Sequence, residues 1–237
     1  MIPRLGSLYS GVGGADLGLE RAGFEVCWQA EADPFRRAVL ARHFPGAYQF
    51  SDVAAIDALA DPVDLLYAEF PTPHARWLPE ILRVVELFAP PAILVEGRRD
   101  WAFRASEALG ALGYRGGLAR VDYEANKAGI HYRRERGYAV ALRADEEEPP
   151  TLAPWPSVRT DAAAGRFEDT GMVAVPEFFE LLVGLPQRWT CLCGEETCYE
   201  AAARALAASE ATTPAVTEWL GRAMLKALER QPLAVAG

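Results

Sequence analysis

The stretch Leu5-Gly6-Ser7-Leu8-Tyr9-Ser10-Gly11-Val12-Gly13-Gly14-Ala15-Asp16-Leu17-Gly18-Leu19-Glu20 decides how the chain is read. A short apolar run (Leu5, Leu8, Tyr9) stops at Gly11, Gly13 and Gly14, and an apolar period of helical spacing resumes at Leu17, Leu19 and Ala22. That order predicts a strand, a glycine turn and a helix, the layout of a nucleotide-cofactor loop at the carboxyl edge of a parallel sheet. Glycine is needed there because the backbone must turn sharply and approach a ligand with no Cβ in the way. Asp16 stands where the third glycine of the dinucleotide fingerprint would fall, so a nicotinamide oxidoreductase is disfavoured. A glycine turn alone is also compatible with a tight strand-to-helix connection.

The next segment, Phe24 to Ala30, reads as a second strand closed by Glu31-Ala32-Asp33-Pro34. An acid at the end of strand two is where the ribose hydroxyls of a bound nucleoside are held, which makes Glu31 the candidate. Together the residues from Ser7 to Val26, then Gln29 to Phe35, and on through His43-Phe44-Pro45, resemble the opening motifs of the C5-cytosine DNA methyltransferase family. The resemblance implies a doubly wound, mostly parallel α/β sheet of Rossmann-like type. It also implies S-adenosylmethionine as cofactor, with S-adenosylhomocysteine as its product form. Tyr9, Ser10, Gly11, Gly13, Gly14, Glu31 and Asp52 are then the cofactor-binding positions; Asp52 matches the acid that contacts the adenine amino group. Asp52 reads equally well as the N-cap of a turn at Ala54-Ala55-Ile56.

A chain of 237 residues can bury one sizeable core with a small annex. Its longest apolar runs fall short of a membrane span, and the N-terminus leads straight into strand one, so a cytoplasmic protein without a signal peptide is expected. The formal charge of −9 argues against a large basic face for duplex DNA, because neutralised phosphates supply most non-specific affinity.

Further strands are expected at Gln49 to Val53, Asp64 to Ala68, Ala92 to Glu96, Leu118 to Val121 (after a break at Gly116-Gly117) and Gly137 to Leu142. Helices are expected at Leu78 to Phe88, Ala105 to Leu112, Pro176 to Val183 and Val216 to Leu228, the last folding back beside the first helix. Asp145-Glu146-Glu147-Glu148-Pro149-Pro150 is an acidic linker. The expected division is a cofactor-binding domain over 1–145, a short linker and remnant recognition region over 146–204, and a C-terminal helix over 205–237 that returns to the main domain.

The resemblance weakens where chemistry is done. C5 of cytosine is too electron-poor to attack a methyl donor, so the family first adds a cysteine thiolate at C6. At that place this chain reads Ala68-Glu69-Phe70-Pro71-Thr72-Pro73-His74. Either Thr72 takes the cysteine's position, or one residue is deleted and Thr72-Pro73-His74 aligns with the residues after the cysteine. A threonine hydroxyl, far above neutral in pKa and with no evident base, cannot replace a thiolate. Val95-Glu96-Gly97 matches the family's Glu-Asn-Val motif, retaining the N3-contacting acid as Glu96 but losing the asparagine. Arg134 and Arg136 match the arginines that organise the target pocket, and could equally form a solvated charge cluster with Glu135. The long target-recognition insert is absent, and the late Gly-Asn-x-Val motif is replaced at Ser209 to Pro214.

Cys191, Cys193 and Cys198 share one turn-rich loop. Three ligands at C-x-C and C-x4-C spacing fall short of a usual zinc finger, so a metal site there competes with a disulfide. The chain reads as a homologue that binds S-adenosylmethionine without C5 methylation. It would act as a regulatory or accessory subunit of another DNA-modifying or defence protein, or as a homo-oligomer, with weak DNA contact. The competing reading is an active methyltransferase with altered chemistry, in which an exocyclic amine such as N4 of cytosine attacks the methyl group directly.

Overall fold

The computed structural model describes residues 1–70, 77–127, 130–143, 180, 183–192, 204, 207–208 and 211–229. Of residues 120–127 and 130–135 it describes the backbone alone. β1 (Arg4–Leu8), β2 (Glu25–Ala30), β3 (Tyr48–Phe50), β4 (Leu65–Glu69), β5 (Ala92–Gly97), β6 (Tyr114–Lys127) and β7 (Ile130–Arg143) form one seven-stranded sheet in the order β3-β2-β1-β4-β5-β7-β6. The first five strands are parallel, and β7 runs antiparallel between β5 and β6. β1 pairs with both β2 and β4, so the chain reverses its direction of travel across the sheet there. In open α/β sheets such a switch point opens a crevice at the carboxyl ends of the strands.

Alternating side chains bury both faces. α1 (Gly14–Ala22), α2 (Pro34–His43) and α5 (Pro214–Leu228) cover one face, over Leu5, Leu65, Tyr67, Leu94 and Tyr138. α3 (Trp77–Phe88) and α4 (Arg99–Ala111) cover the other, over Leu8, Trp28, Leu66, Ile93 and Val95. α5 does return beside α1: a Cβ on Gly18 would collide with Thr217 and the Pro214 carbonyl, so glycine lets the two helices approach closely.

Several expected boundaries move: α4 begins at Arg99 rather than Ala105, and β7 at Ile130 rather than Gly137. Gly116-Gly117 does not break the strand, because β6 runs unbroken from Tyr114 to Lys127. A Cβ on Gly116 would meet the Val140 carbonyl, so that glycine permits close pairing with β7. β3 ends at Phe50 rather than reaching Val53, and Asp52 caps a 3-10 turn over Val53–Ala55 by accepting the Ala54 N–H at 3.0 Å. The helix expected at Pro176 is described only at Glu180 and Val183, and most of the 146–204 region lies outside the described residues. Among the described residues no helix is long and apolar enough to cross a membrane.

Candidate functional site

The glycine loop leaves β1 through an unusual backbone. Tyr9 has φ 55°, Gly11 59° and Gly13 81°, so three of five consecutive residues are left-handed. For tyrosine that conformation costs on the order of 1–3 kcal/mol and persists only where surroundings impose it. Here the Ser10 N–H donates to the Ala30 carbonyl at 3.1 Å, and its hydroxyl donates to Ser7 Oγ at 2.9 Å. A Cβ built on Gly11 meets nothing within 4 Å, so the loop's outer side faces open space. That space, over backbone with no side chain in it, fits a nucleoside-bearing cofactor.

Glu31 ends β2 and is almost fully buried. Its Oε2 accepts the Gly11 N–H and its Oε1 the Asp33 N–H, each at 2.9 Å. The carboxylate thus ties the second strand's end to the glycine loop while keeping lone pairs for a further donor. Asp52 lies exposed just beyond the end of β3. The predicted cofactor positions from Tyr9 to Gly14, Glu31 and Asp52 therefore share the carboxyl ends of three adjacent strands.

Beneath the loop lies Asp16, in the first turn of α1 and fully buried. Loss of hydration raises its carboxyl to about 6, against the opposing influence of Gln29 and Ser7 beside it. The residue that breaks the dinucleotide fingerprint is therefore an interior one.

The second half of the edge is arranged differently. Glu69 and Glu96 pair in register at the ends of β4 and β5. Glu96 is 1% exposed, and its Oε2 accepts from Tyr67 Oη and from Thr212 Oγ1, both at 2.9 Å. Arg136 Nε lies 3.4 Å from its Oε1. Thr212 Oγ1 is also 3.3 Å from Glu69 Oε2. One hydroxyl from the segment ahead of α5 thus stands between two carboxylates. Burial, followed by the charges of Glu96 and Glu69, drives the Tyr67 phenol well above its usual range, keeping it protonated as a donor.

Phe70 comes directly after Glu69 and is buried against Trp101, with ring centroids 5.8 Å apart. Its N–H donates to the Glu96 carbonyl at 2.8 Å. A Cβ on Gly97 would sit 3.3 Å from Phe70 Cβ and Cδ2, tighter than ordinary packing. Phe70 and Gly97 are therefore complementary: the ring occupies space that a side chain at position 97 would need.

Glu96 and Arg136 are brought within 3.4 Å of each other. Thr72 lies outside the described residues, and of Arg134 only the backbone, paired with Tyr123, is described. Cys191 is buried, with Arg188 Nη2 3.8 Å from its Sγ, while Cys193 and Cys198 lie outside the described residues. No group of three metal-ligating side chains occurs among the described residues. Neither Thr212 nor Tyr67 stands out in the sequence as a site residue. Thr212 lies where the late family motif is replaced, and that replacement was the available signal.

A mostly parallel seven-stranded sheet, with a glycine turn after its first strand and an acid ending its second, defines a Rossmann-like methyltransferase fold. Two solved structures share it nearly end to end. One is described as a DNA modification methyltransferase encoded within a prophage of E. coli, with TM-score 0.69 and 14% identity, covering 96% of this chain and 99% of that one. The other is the S. pombe Dnmt2 methyltransferase, with TM-score 0.68 and 13% identity, covering 95% and 99%. Within that fold class, residues 4–73 match the family model of the C-5 cytosine-specific DNA methylases. The type II methyltransferase M2.BsuMI of Bacillus subtilis (strain 168) is 42% identical over 65 residues, which span 27% of this chain and 16% of that relative.

Proposed function

We propose that this protein binds S-adenosylmethionine through the glycine loop, Glu31 and Asp52, and does not methylate C5 of cytosine. The observation that carries this reading is the contrast along one sheet edge. The cofactor half keeps an open, backbone-lined loop, whereas the target half is filled by Phe70 over Gly97 and by Thr212 between Glu69 and Glu96. The sequence has cysteine only at positions 27, 191, 193 and 198, so the β4 segment supplies no thiolate for addition at C6. When bound, the cofactor supplies an electrophilic methyl group. The chain's own part is to orient it, Gly11 and Gly13 shaping the loop and Glu31 fixing it to β2.

The protein then serves as a regulatory or accessory subunit of another DNA-modifying or defence protein, or as a homo-oligomer, with weak and salt-sensitive DNA contact of its own. The net charge of −9 supports that order of affinities. Calorimetry with S-adenosylmethionine and S-adenosylhomocysteine tests the cofactor half; absence of binding at high micromolar ligand removes it. The paired acids Glu69 and Glu96 favour one second reading, transfer to an exocyclic amine that must lose a proton to a nearby base. Tritiated methyl transfer to DNA, RNA and nucleotides, with Glu96→Ala as control, separates the two. Incorporation that Glu96→Ala abolishes would support transfer at this site.

A further inference from the structure

The glycine loop is held from two sides, and only one anchor comes from the sheet. Val12, between the two left-handed glycines, turns its carbonyl toward Trp189, whose indole N–H donates to it at 2.6 Å. Both residues are buried. The Trp189 ring lies flat on His43, with centroids 3.6 Å apart and planes 5° from parallel, and meets Phe44 edge-on at 6.1 Å. The end of α2 then grips the same segment by its main chain. His43 Nε2 is 2.8 Å from the Trp189 carbonyl, and Arg42 Nη1 donates to the Cys191 carbonyl at 2.5 Å.

The segment carries its own internal brace. Glu180 is fully buried, and its carboxylate accepts the Arg188 N–H at 2.7 Å, the Thr190 N–H at 2.8 Å and the Thr190 hydroxyl at 2.6 Å. Arg188 is held at φ 62°, a conformation such a residue adopts only when its surroundings impose it. A buried carboxylate with three donors sets Trp189 in one place before it reaches the loop.

We infer that Trp189 is a positioning residue for the cofactor loop, and that docking of residues 183–191 onto Val12 and α2 is coupled to cofactor affinity. This rests on the reading that the glycine loop holds S-adenosylmethionine. Two glycines flank Val12, and the peptide that carries its carbonyl is tied within the loop by the Gly13 N–H, which donates to the Ser10 carbonyl at 2.9 Å, so the turn relies on an outside partner for its orientation. Glu31 fixes the Gly11 N–H on one side, and Trp189 fixes the next carbonyl on the other. Without that second anchor the loop samples conformations in which its amides no longer face a ligand together, and binding must order it again. By linkage, a cofactor that requires the ordered loop must in turn hold the segment down.

Trp189→Phe tests this, since it keeps an aromatic ring on His43 and removes the N–H. The expected result is about a tenfold rise in the Kd for S-adenosylhomocysteine, with the unliganded variant still folded. In the wild-type protein, S-adenosylhomocysteine should slow hydrogen exchange at the Thr190 and Cys191 amides, which needs no variant and so does not depend on one folding. A purely structural tryptophan would lower stability and leave both readouts unmoved. If the wild type binds the ligand, equal affinity in Trp189→Phe together with unslowed exchange at those amides overturns the coupling. A wild type that binds no S-adenosylhomocysteine overturns the cofactor reading and the coupling with it.

Discussion

Glu31 and Glu96 end strands in the same sheet, separated by β1 and β4, and both carboxylates are buried. Glu31 spends its oxygens on the backbone N–H groups of Gly11 and Asp33, which shapes a loop whose outer side stays open. Glu96 spends its oxygens on side chains, Tyr67, Thr212 and Arg136. An acid at a strand's carboxyl end thus shapes main chain in one place and gathers side chains in another. The same sheet carries both outcomes, so the fold alone does not decide which half works.

Phe70→Ala should break the contrast with the largest effect. Removing a buried phenyl ring costs about 3–5 kcal/mol, so chemical denaturation should register a loss of that order. Cofactor affinity, set on the other half of the edge, should change little.

The interior of the cofactor half predicts the next effect. Asp16 is raised to about 6 when folded and lies near 3.8 when unfolded. The folded chain therefore binds more protons between those values, and stability falls as pH rises from about 4 to about 6. Asp16→Asn removes that slope and should gain up to about 3 kcal/mol at pH 7. His43, lowered chiefly by burial, contributes a slope of opposite sign below its ordinary value, so denaturation of wild type and variant across pH should be compared as a difference.

Gly97→Ala sharpens the comparison with the smallest change. Its Cβ would crowd Phe70 and should cost about 1–3 kcal/mol alone. In a Phe70→Ala background the Cδ2 contact is gone while the Cβ contact stays, so the cost should fall in part. A double-mutant cycle with additive terms would mean that the two positions do not share one space.

The glycine-loop edge was legible because its determinants are local. Gly11, Gly13 and Gly14 announce a turn, and Glu31 comes after an apolar run that can only be a strand. The fold was legible from the same alternation, down to the return of α5 beside α1. Strand limits were less legible: Gly116-Gly117 reads as a break until β7 is beside it, since its purpose is close approach to another strand's backbone. The Glu96 half was legible only in part. Glu69, Phe70 and Glu96 stand within the motifs, but their partners lie far along the chain. Thr212 reaches Glu96 across 116 positions, and Trp189 reaches Val12 across 177, separations that no local pattern encodes.

The proposal that the target half does not admit a base is tested most directly by Thr72→Cys, assayed for tritiated methyl transfer from S-adenosylmethionine to duplex DNA while calorimetry establishes that the variant is loaded. A loaded protein and no labelled 5-methylcytosine is the predicted result, because Glu69, Phe70 and Gly97 still shape the pocket. Labelled 5-methylcytosine from that single substitution would mean that the pocket admits a base, and would contradict a sealed target half.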